Sequence, residues 1–433
     1  MKNKVLSHLK WMYPGMNIKR WIILLPVSMI FIIFGVVILI YKRLDEYLGI
    51  IARYMMEKFD INIGNNNELI IIAYIAIGIG IVIIYLLLRN LIYSISKSVN
   101  PNATGELADF VYKKRFLAGG PRIVVVGGGT GLSTMLRGLK NYSSNITAIV
   151  TVSDNGGSSG MLKQQMGIMA PGDIRNCLVA LADTESEMEE LFQYRFKKEI
   201  NGLEGHSFGN ILIAVLSNIT GDFEKAVLKL SDVLAIRGKV YPNSLKSIDL
   251  VGEMEDHEEI VGETNIVDSG KKILNMKLSL PNAEAPKDAI EAIENADIIV
   301  LGPGSIYTSI IPNLLVKNIK GAINKSKAHK VYICNVMTQP GESDGFTASD
   351  HCKTIIKYLG NKSINHVIIN NAKPNREVLA KYEESKQFFV EPDVNKIKEL
   401  GINIVAGNFM SQKNQVRHNP KALAEAIMRL TRY

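Results

Sequence analysis

Two long apolar stretches restrict what the first hundred residues of this chain can fold into. One is WIILLPVSMIFIIFGVVILI, from Trp21 to Ile40, the other is LIIIAYIAIGIGIVIIYLLL, from Leu69 to Leu88, and neither contains a charged residue. A helix needs about 20 apolar residues to cross a bilayer, and core helices of that length rarely lack every charge. The first stretch is too long for the apolar part of a signal peptide, and no small-residue cleavage site follows it. The sequence therefore predicts two transmembrane helices, at residues 21–41 and 69–88.

The lysines and arginines around these stretches predict their orientation, because basic residues favour the cytoplasmic side of a membrane. Residues 1–20 carry basic but no acidic side chains, the segment after the second stretch is also basic, and the loop between the stretches mixes both signs. We therefore expect a cytoplasmic basic N-terminus (1–20), an extracytoplasmic loop (42–68), a basic linker (89–120) and a large cytoplasmic domain (121–433). This topology describes a two-pass protein of the cell membrane, with the lipid bilayer as a partner.

The net charge of +8 and the pI of about 9.1 do not by themselves indicate nucleic-acid binding. Much of the excess positive charge lies beside the apolar stretches, where it meets anionic lipid head groups, and no segment alternates basic with aromatic residues. We therefore expect no nucleic-acid partner. The three cysteines are odd in number and far apart, which favours a reducing cytosol without disulfides or a zinc site.

From about Pro121 onward, short segments rich in valine and isoleucine alternate with helical segments. This alternation is typical of an α/β fold, a parallel sheet with helices on both faces. The predicted strands are Ile123–Val126, Thr147–Val152, Asp297–Leu301, Lys330–Asn335 and His366–Ile369. The predicted helices are Leu132–Lys140, Asp173–Ala182, Phe208–Ser217, Phe223–Leu234, Ile306–Leu315, Thr347–Leu359 and Asn375–Glu384. We interpret the acid-rich, alternating segment Lys239–Leu280 as a small β insertion of antiparallel strands.

A glycine-rich loop, Gly127-Gly128-Gly129-Thr130-Gly131, follows the first predicted strand and precedes a helix. Glycine lets the backbone approach an anion closely, and the helix start offers free N–H groups, so the loop predicts a phosphate or nucleotide site. The match to the dinucleotide pattern GxGxxG is partial, because Leu132 occupies the last glycine position, and the lysine of a P-loop is missing. A tight strand-to-helix turn without a ligand is the alternative.

Asp154 and Asn155 follow the second predicted strand and precede a Gly/Ser run, GGSSG. Asp154 lies about where a Rossmann unit places its ribose-binding acid. The Gly/Ser run suits a flexible loop that wraps a second anion, or else a plain turn. Two glycine-rich loops on neighbouring strand ends favour a ligand larger than a single phosphate.

Two further polar segments begin predicted helices. In the first, Asp173 suits a helix N-cap, and Gly172 and Asn176 can present polar groups to the same cleft. In the second, Asn210 lies in the first turn of its helix, and His206 is either a proton-transfer group or a hydrogen-bonded structural histidine.

A third glycine loop, with Gly302, Gly304 and Ser305, follows another buried strand, and Asn335 ends the next strand. In doubly wound sheets, ligands bind outside the carboxyl ends of the strands. Four polar or glycine-rich loops on one rim therefore predict a wide, nucleotide-sized site.

The sequence offers few groups for covalent or metal chemistry. We find no serine or cysteine nucleophile paired with a base and no zinc-binding pattern of histidines. The candidate catalytic residues are Asp154, Asp173 and His206. Asp154, together with Asp173, can hold Mg²⁺ beside phosphates if the protein is an enzyme, and otherwise no cofactor is expected.

Together these motifs resemble the YvcK family, the gluconeogenesis factors, which share a superfamily with the phospholactate transferase CofD. The resemblance runs from about Arg122 to the C-terminus and leaves out the two apolar stretches, which look like a membrane anchor. The segments that carry it, in order, are GGGTG, TVSDNGGSSG, APGDIRN, GHSFGN, GEMEDHEEIVGETNI, GPGSIYTSIIPNLL and KVYICNVMTQPGESDGFTASDH.

The resemblance implies a Rossmann-like, doubly wound, mostly parallel sheet in a cytoplasmic protein that binds a nucleotide sugar, with UDP-N-acetylglucosamine as the ligand. It also implies a link to cell shape and cell-wall synthesis during gluconeogenic growth, with cell-wall synthesis proteins as partners. Two family ligand positions fall on Tyr382 and Arg417; a tyrosine can stack on a uracil or sugar, and an arginine can bind a diphosphate. This chain departs from the family at Asn155, where a second acid is usual, and an amide ligates a cation less strongly than a carboxylate.

Two functions follow as hypotheses. The first is a membrane-tethered cytosolic regulator that binds a UDP-sugar without breaking a bond, and the second is a CofD-like transferase that moves a phospholactyl-type group from a nucleotide-activated donor to an acceptor hydroxyl. Asn155 and the lack of a clear base favour the regulator. An NAD-linked oxidoreductase depends on the glycine loop alone and ranks last. We also expect the protein to form a homo-oligomer.

Overall fold

The protein is described by a computed structural model that covers residues 19–40, 54–55, 57–59, 66–99, 115–183, 185–197, 202–411 and 415–431. It consists of two compact units, residues 1–114 and 115–433. The division agrees with the sequence, because the first unit contains both apolar stretches and the second contains every predicted strand.

The first unit contains two long helices, α1 (Lys19–Ile40) and α2 (Asn66–Val99), which cover the two predicted membrane spans. Within the described residues, Ile71–Asn90 of α2 is long and apolar enough to cross a membrane, whereas the apolar part of α1, Leu25–Leu39, is shorter. The two-span topology therefore stays a prediction. The basic N-terminus up to residue 18 lies outside the described residues, as do most of the predicted loop 42–68 and residues 100–114 of the linker. The first part of the predicted linker is helical, because α2 continues to Val99.

Glycines let α1 and α2 pack closely. A Cβ on Gly35 would lie 2.6 Å from Ile77 Cγ1, and a Cβ on Gly80 would lie 2.5 Å from Ile32 Cγ1. Small residues at a helix–helix contact let the two backbones approach and so increase the van der Waals contact between the helices.

The second unit is built on a sheet of seven parallel strands in the order β10-β9-β8-β7-β1-β2-β3. Its strands are β1 (Ile123–Gly127), β2 (Ile146–Val150), β3 (Lys239–Pro242), β7 (Ile298–Leu301), β8 (His329–Ile333), β9 (His366–Asn370) and β10 (Asn403–Gly407). The five predicted strands are all present, within one or two residues at each end. The sequence missed β10, an edge strand whose residues are all exposed or half-buried, and it assigned β3 to the insertion.

The strand order reverses between β1 and β7. From β1 the chain adds β2 and β3 on one side, and it later adds β7 to β10 on the other side. Such a reversal is where doubly wound sheets bind their ligands, because the loops after the two central strands separate to opposite faces and leave a crevice. The loops after β1 and β7 are two of the glycine loops that the sequence singles out.

Helices cover both faces of this sheet, and the seven predicted helices are confirmed. They are α3 (Gly129–Leu139), α5 (Gly172–Leu181), α7 (Phe208–Thr220), α8 (Phe223–Val233), a π-helical turn (Ile306–Ile310) that continues as α11 (Ile311–Leu315), α13 (Ala348–Leu359) and α14 (Arg376–Glu384). The structure adds α4 (Gly157–Met166), α6 (Glu185–Gln193), α9 (Glu263–Asp268), α10 (Lys287–Glu294), α12 (Lys317–Lys325), α15 (Val394–Glu399) and α16 (Pro420–Leu430).

The predicted β insertion is present but begins later than expected. It is a three-stranded antiparallel sheet in the order β5-β4-β6, formed by β4 (Leu250–Met254), β5 (Glu259–Val261) and β6 (Ile273–Leu278). Helix α9 follows β5 and places the insertion next to the loops of the main sheet.

The centre of the core lies where α3 covers β1. All strand residues of β1 are buried, as are Leu132, Met135 and Leu136 on one face of α3. Helix α3 also packs against the start of α16, and Gly138 makes this possible, because a Cβ there would overlap the carbonyl oxygen of Pro420. The C-terminal helix is thereby fixed beside the helix that follows the glycine loop.

We expect Gly138→Ala to destabilise the protein by about 1–3 kcal/mol, because the added methyl group forces α16 away from α3. The matched control is Gly321→Ala in α12, where an added Cβ meets no atom within 4 Å. That substitution should stabilise the helix by about 0.5–1 kcal/mol, since glycine loses more backbone entropy on folding than alanine. Denaturant unfolding of the full chain in detergent measures both, and equal effects would contradict the proposed contact.

Candidate functional site

A cleft of about 320 Å³ opens at the reversal point of the sheet, at the carboxyl ends of β1, β7 and β8. One side is made by the first and third glycine loops, and the other side by the loop after β8, α14 and the C-terminal segment. The lining residues are Gly129, Thr130, Gly131, Thr134, Pro303, Gly304, Ser305, Ser309, Asn335, Val336, Met337, Thr338, Gln339, Tyr382, Gln387, Gln415, Val416, Arg417 and His418.

The two glycine loops touch each other at the base of the cleft. A Cβ on Gly131 would lie 2.9 Å from the carbonyl oxygen of Pro303, and a Cβ on Gly304 would lie 3.1 Å from the carbonyl oxygen of Gly128. Gly304 has a φ of +159° and Gly302 a φ of +79°, the latter well inside the range that side chains disfavour. These glycines are needed for the close approach of two backbones, whether or not a ligand is bound.

The first glycine loop also receives a carboxylate from the protein itself. Asp173 Oδ2 accepts a hydrogen bond of 2.6 Å from the backbone N–H of Gly129, at the start of α3. A Cβ on Gly128 would lie 2.6 Å from the same oxygen, so glycine at this position makes room for Asp173. Asp173 was predicted to cap its own helix; that prediction is wrong, because α5 begins at Gly172, and Pro171, which makes no side-chain cap, precedes it.

Burial, and to a smaller extent the nearby charge of Asp154, raise the pKa of Asp173 against the opposing effects of the Gly129 N–H and the charge of Arg175, and the net result is a pKa of about 6. The carboxylate therefore holds a charge near neutral pH at an energetic cost. A helix start stabilises an anion, which is why the charge is tolerated there.

The opposite wall of the cleft is tied together by Tyr382. Its hydroxyl accepts a hydrogen bond of 2.9 Å from the backbone N–H of Val416. Val416 precedes β12 (Arg417–His418), which pairs with β11 (Met410–Ser411). The exposed Arg417 side chain donates to Gln415 Oε1 at 2.9 Å and 3.2 Å. An aromatic ring and a guanidinium thus lie together across the cleft from the glycine loops.

The loop after β8 supplies amides to the cleft floor. Asn335 Nδ2 donates to the carbonyl oxygen of Gly304 at 2.9 Å, and Gln339 Nε2 donates to Ser305 Oγ at 2.6 Å. His418 also lines the cleft, and burial lowers its pKa to about 4. The imidazole of His418 is therefore neutral at physiological pH.

Behind the cleft floor, Glu342 occupies the start of the helix that follows β7. Its Oε2 accepts from the backbone N–H groups of Tyr307 (3.2 Å) and Thr308 (3.3 Å), and its Oε1 accepts from Thr308 Oγ1 (3.0 Å). Burial raises the pKa of Glu342 to about 7 in spite of these donors. Burial also raises the pKa of Glu263, at the start of α9, and the charges of Asp154, Asp173 and Glu342 add to that shift.

A buried polar network lies on the far side of Asp173. The Arg175 guanidinium donates to Ser207 Oγ, to Asn210 Oδ1 (3.0 Å) and to Asn176 Oδ1 (3.0 Å). Burial lowers the pKa of Arg175 to about 10. His206 is 3% exposed, and its Nδ1 lies 3.2 Å from Ser158 Oγ. His206 and Asn210, two predicted ligand contacts, are here parts of a packed network.

Asn155 connects the second strand end to the β insertion. Its Oδ1 accepts from both the backbone N–H and the hydroxyl of Thr264, each at 3.0 Å. Asp154 Oδ1 accepts from the backbone N–H of Gly156 at 2.8 Å. The Gly/Ser run was predicted to be a flexible loop; instead it begins α4 at Gly157, and Ser158 and Ser159 are buried. Serine is unfavourable inside a helix but favourable at its start. The sequence of this segment therefore did not distinguish a flexible loop from the beginning of a helix.

The predicted ligand-binding residues therefore divide into groups. Those that line the cleft are Gly129, Thr130, Gly131, Gly304, Ser305, Asn335, Tyr382 and Arg417. Gly127, Gly128 and Gly302 are buried beneath the loops, and Asp154, Asn155, Gly172, Asp173, Asn176, His206 and Asn210 lie outside the cleft lining. Gly172 faces Ser159, whose Oγ would be 2.5 Å from a Cβ.

Sequence reasoning missed part of the cleft and two carboxylates. Gln387, Gln415 and His418 follow no strand of the sheet, so the rule that ligands bind at strand ends does not find them. Glu263 and Glu342 approach from the insertion and from the β8 loop; both lie in segments that carry the family resemblance, but nothing in either segment marks these carboxyl groups as neighbours of the site. Among the residues that the structure describes, no three histidine, cysteine, aspartate or glutamate side chains converge to hold a metal ion.

Comparisons with known proteins agree with this architecture. A family model described as 2-phospho-L-lactate transferase CofD matches residues 123–410. A putative gluconeogenesis factor of Nostoc sp. is 41% identical over 438 residues, 99% of this chain and 93% of the relative. The gluconeogenesis factor of Halalkalibacterium halodurans is 48% identical over 307 residues, 71% of this chain and 95% of the relative.

A solved structure shares the fold of the second unit. The crystal structure of a Bacillus halodurans protein is 48% identical, has a TM-score of 0.70, and covers 71% of this chain and 99% of that one. The fold and the family model define the class, a CofD-like α/β protein. Within that class the chain belongs to the gluconeogenesis-factor (YvcK) family.

We expect Asp173→Asn to make the protein more stable than wild type at pH 8, by on the order of 3 kcal/mol, with the difference vanishing near pH 4. The folded-state pKa of Asp173 is raised, so its charging costs free energy between pH 4 and 6 and continues to cost it above that range. The amide keeps the acceptor for Gly129 but carries no charge. Denaturant unfolding of the full chain in detergent at both pH values is the measurement.

The control variant is expected to change the free energy of unfolding in the opposite direction. Asp297 pairs with Arg122 at 2.8 Å, and the Arg122 guanidinium lowers the pKa of Asp297. Asp297→Asn should therefore be less stable than wild type at pH 8, with a difference that closes under acid conditions. An Asp173→Asn protein that is less stable than wild type at pH 8 would contradict the view that the charge is costly.

Proposed function

We propose that this protein is a membrane-tethered cytosolic regulator that binds a UDP-sugar, with UDP-N-acetylglucosamine as the expected ligand, and relays carbon supply during gluconeogenic growth to cell-wall synthesis and cell shape. The observation that carries the proposal is the cleft at the sheet reversal, where Tyr382 and Arg417 face two glycine loops across a volume of about 320 Å³. Membership of the gluconeogenesis-factor family supports the regulatory role.

The chemistry of the lining suits a nucleotide sugar better than an apolar ligand. Tyr382 offers a ring face to a base or sugar, and Arg417 offers a fork of donors to a diphosphate. Asn335, Gln339 and Gln387 offer the amide donors and acceptors that read a base edge or sugar hydroxyls. Because Asp173 already accepts from the Gly129 N–H, we place the diphosphate toward Gly131, Gly304 and Ser305, farther from Gly127 than the glycine pattern alone suggests.

The groups at the cleft favour binding over reaction. Among the described residues that line it there is one arginine, one neutral histidine and no carboxylate. Group transfer between oxygens depends on groups that stabilise developing charge and move a proton at the reacting atoms. The carboxylates of Asp173 and Glu342, which contact the loops and helix starts behind the lining, are engaged by backbone N–H groups of two helix starts.

The match to the CofD family model favours a second candidate function, a phospholactyl-type transferase. In that case Asp173 or Glu342 would orient an acceptor hydroxyl, and Mg²⁺ beside Asp154 would be the cofactor. Incubation with a nucleotide-activated phospholactate and Mg²⁺, followed by chromatography of the nucleotides, distinguishes the two. Release of free nucleotide in the presence of an acceptor would establish the transferase and displace the regulator.

For the regulator, we expect UDP-N-acetylglucosamine to bind the full chain in detergent and to be recovered unchanged. Arg417→Gln should weaken binding by about tenfold or more, because a diphosphate loses its charged partner while the amide keeps some polarity. Arg376→Gln, an exposed arginine at the start of α14, is the matched control and should leave affinity within twofold. Isothermal titration calorimetry measures all three; no heat with wild type at millimolar ligand would refute the proposed ligand.

The membrane part of the proposal has its own test. We expect reporter fusions after residue 20 and after residue 120 to be active only as cytoplasmic reporters, and a fusion within 42–68 only as an extracytoplasmic one, because basic segments stay inside. An extracytoplasmic signal from the fusion after residue 120 would overturn the topology. Cell-wall synthesis proteins and further copies of the chain are the proposed protein partners.

A further inference from the structure

Helix α7 has an apolar face that the described part of the chain does not cover. The sequence of this helix, FGNILIAVLSNIT from Phe208 to Thr220, contains no charged residue. One side packs into the molecule, where Ile213 is fully buried. On the opposite side Val215 is 44% exposed, Ile219 is 70% exposed, and Ile211, one turn before Val215, is half-buried. A helix that is apolar on every side is normally buried on every side.

The neighbouring helix α8 shows the usual pattern of a surface helix in this unit. Its buried side is apolar, and its exposed positions include Lys225, Lys229 and Asp232. Charged residues at exposed positions favour contact with water over contact with another protein. Helix α7 lacks them over its whole length, which indicates that its outer face is covered in the assembled protein.

The apolar surface continues from α7 onto the segment that precedes it. Leu191 of α6 is 44% exposed and Tyr194 is 50% exposed. The Phe208 N–H donates to the carbonyl oxygen of Tyr194 at 2.8 Å, and the rings of Phe192 and Phe208 meet edge to face, with centroids 6.2 Å apart, so α6 is held against the start of α7. We call this surface the α7 patch, and its members are Leu191, Tyr194, Ile211, Val215 and Ile219.

The N-terminal end of α7 is bordered mainly by positive charge. Arg195 forms a backbone β-bridge with Ser207, the N-cap of the helix, and its guanidinium donates to the carbonyl oxygen of Gly205 at 3.0 Å. Lys197 is exposed close by, as is one acid, Glu204. The free N–H groups of the helix start add a partial positive charge at the same end.

The C-terminal end of α7 is bordered mainly by negative charge. The helix ends at Gly221, and Asp222 and Glu224 follow directly, with one base, Lys225, beside them. Asp222 caps α8, since its Oδ1 accepts from the Lys225 N–H at 2.8 Å, and this bond fixes the carboxylate at the end of α7. The last carbonyl groups of α7 add a partial negative charge. The two ends of the patch are therefore opposite in sign.

We propose that the α7 patch is the interface through which two copies of this chain form a two-fold symmetric dimer, with their α7 helices packed antiparallel. A two-fold interface joins a patch to itself, so the patch must be complementary to its own surface. Antiparallel packing places the basic end of each α7 against the acidic end of the other, whereas parallel packing would bring like charges together. The interface does not depend on a ligand in the cleft.

A membrane surface suits the patch less well than a second copy does. Anionic lipid head groups attract clusters of lysine and arginine. The border of the patch carries Glu190, Glu204 and Asp222 as well as Arg195 and Lys197, so it offers lipid no excess of positive charge. Balanced charge that is separated to opposite ends favours a partner with the same pattern, turned by half a rotation.

The two-fold symmetry makes a geometric prediction. Val215 is the centre of the exposed stripe, four residues from Ile211 and four from Ile219. In an antiparallel pair Val215 faces its own copy, whereas the two Ile219 residues are separated by about 12 Å along the helices, since each residue adds about 1.5 Å. A disulfide requires Cα atoms within about 7 Å of each other. Ile219 of one copy instead faces Ile211 of the other.

The test is oxidative crosslinking of the full chain in detergent, read on a denaturing gel without reductant. The chain's own cysteines are buried and do not interfere. We expect Val215→Cys to crosslink to itself, Ile219→Cys not to do so, and Ile219→Cys coexpressed with Ile211→Cys to crosslink. Val261→Cys, at a position 54% exposed in β5, is the control and should remain uncrosslinked. Failure of Val215→Cys to crosslink refutes the dimer, and self-crosslinking of Ile219→Cys refutes the antiparallel arrangement.

A charge in the patch should separate the copies. Ile219→Asp, added to Val215→Cys, should slow crosslinking at least about tenfold, because each dimer would bury two unpaired carboxylates. Val261→Asp should leave the rate unchanged, and thermal unfolding checks that both variants are folded. An unchanged rate with Ile219→Asp would overturn the interface. In lipid vesicles, a Val215→Cys chain that neither crosslinks nor reacts with a water-soluble maleimide would show that lipid covers the patch, and would also overturn it.

Discussion

The parallel pairing of β1 with β7 is the contact from which the rest of the second unit follows. Residues 123–126 of β1 pair with 298–301 of β7, although about 170 residues separate the two strands in the chain. This pairing reverses the direction in which strands are added, and it brings the first and third glycine loops side by side. Gly131 and Gly304 then allow the two backbones to touch, which fixes the floor of the cleft. The loop after β8, α14 and the C-terminal β11–β12 ribbon add the remaining walls to the base that this pairing determines.

The two helix starts at this point are occupied by the protein's own carboxylates. Asp173 accepts from Gly129 at the start of α3, and Glu342 accepts from Tyr307 and Thr308 at the start of the helix after β7. Both places would suit a phosphate, because helix starts combine free N–H groups with a positive dipole end. The glycine pattern is therefore only partly a ligand signature, since Gly128 makes room for a carboxylate from α5. A ligand phosphate must share these helix starts with fixed negative charge.

Much of the fold was readable from the sequence because its cause is local. Buried central strands such as β1 and β7 are runs of valine and isoleucine, and helices such as α7 and α13 begin at recognisable capping residues. Only part of the site could be predicted from the sequence. Each strand-end loop can be recognised from its own residues, whereas the order of the strands in the sheet cannot. Gln415 and Glu263 illustrate this limit. Gln415 lies in the C-terminal β11–β12 ribbon and Glu263 in the β insertion, and the sequence does not show where either segment packs. Tyr382 and Arg417 were named only through family resemblance, and nothing in their local sequence distinguishes them from surface residues.

The amide at position 155 can be understood from the same balance of charge. Asn155 Oδ1 accepts two hydrogen bonds from Thr264, the residue after Glu263, and an aspartate could accept them equally well. An aspartate would, however, add a charge beside Asp154 in a region where Asp154, Asp173 and Glu342 already raise the pKa of Glu263. The amide thus keeps the contact between the second strand end and the insertion while it adds no further negative charge beside Asp154. A second carboxylate at this position would be favourable if it ligated a bound cation, because the cation would neutralise the added negative charge.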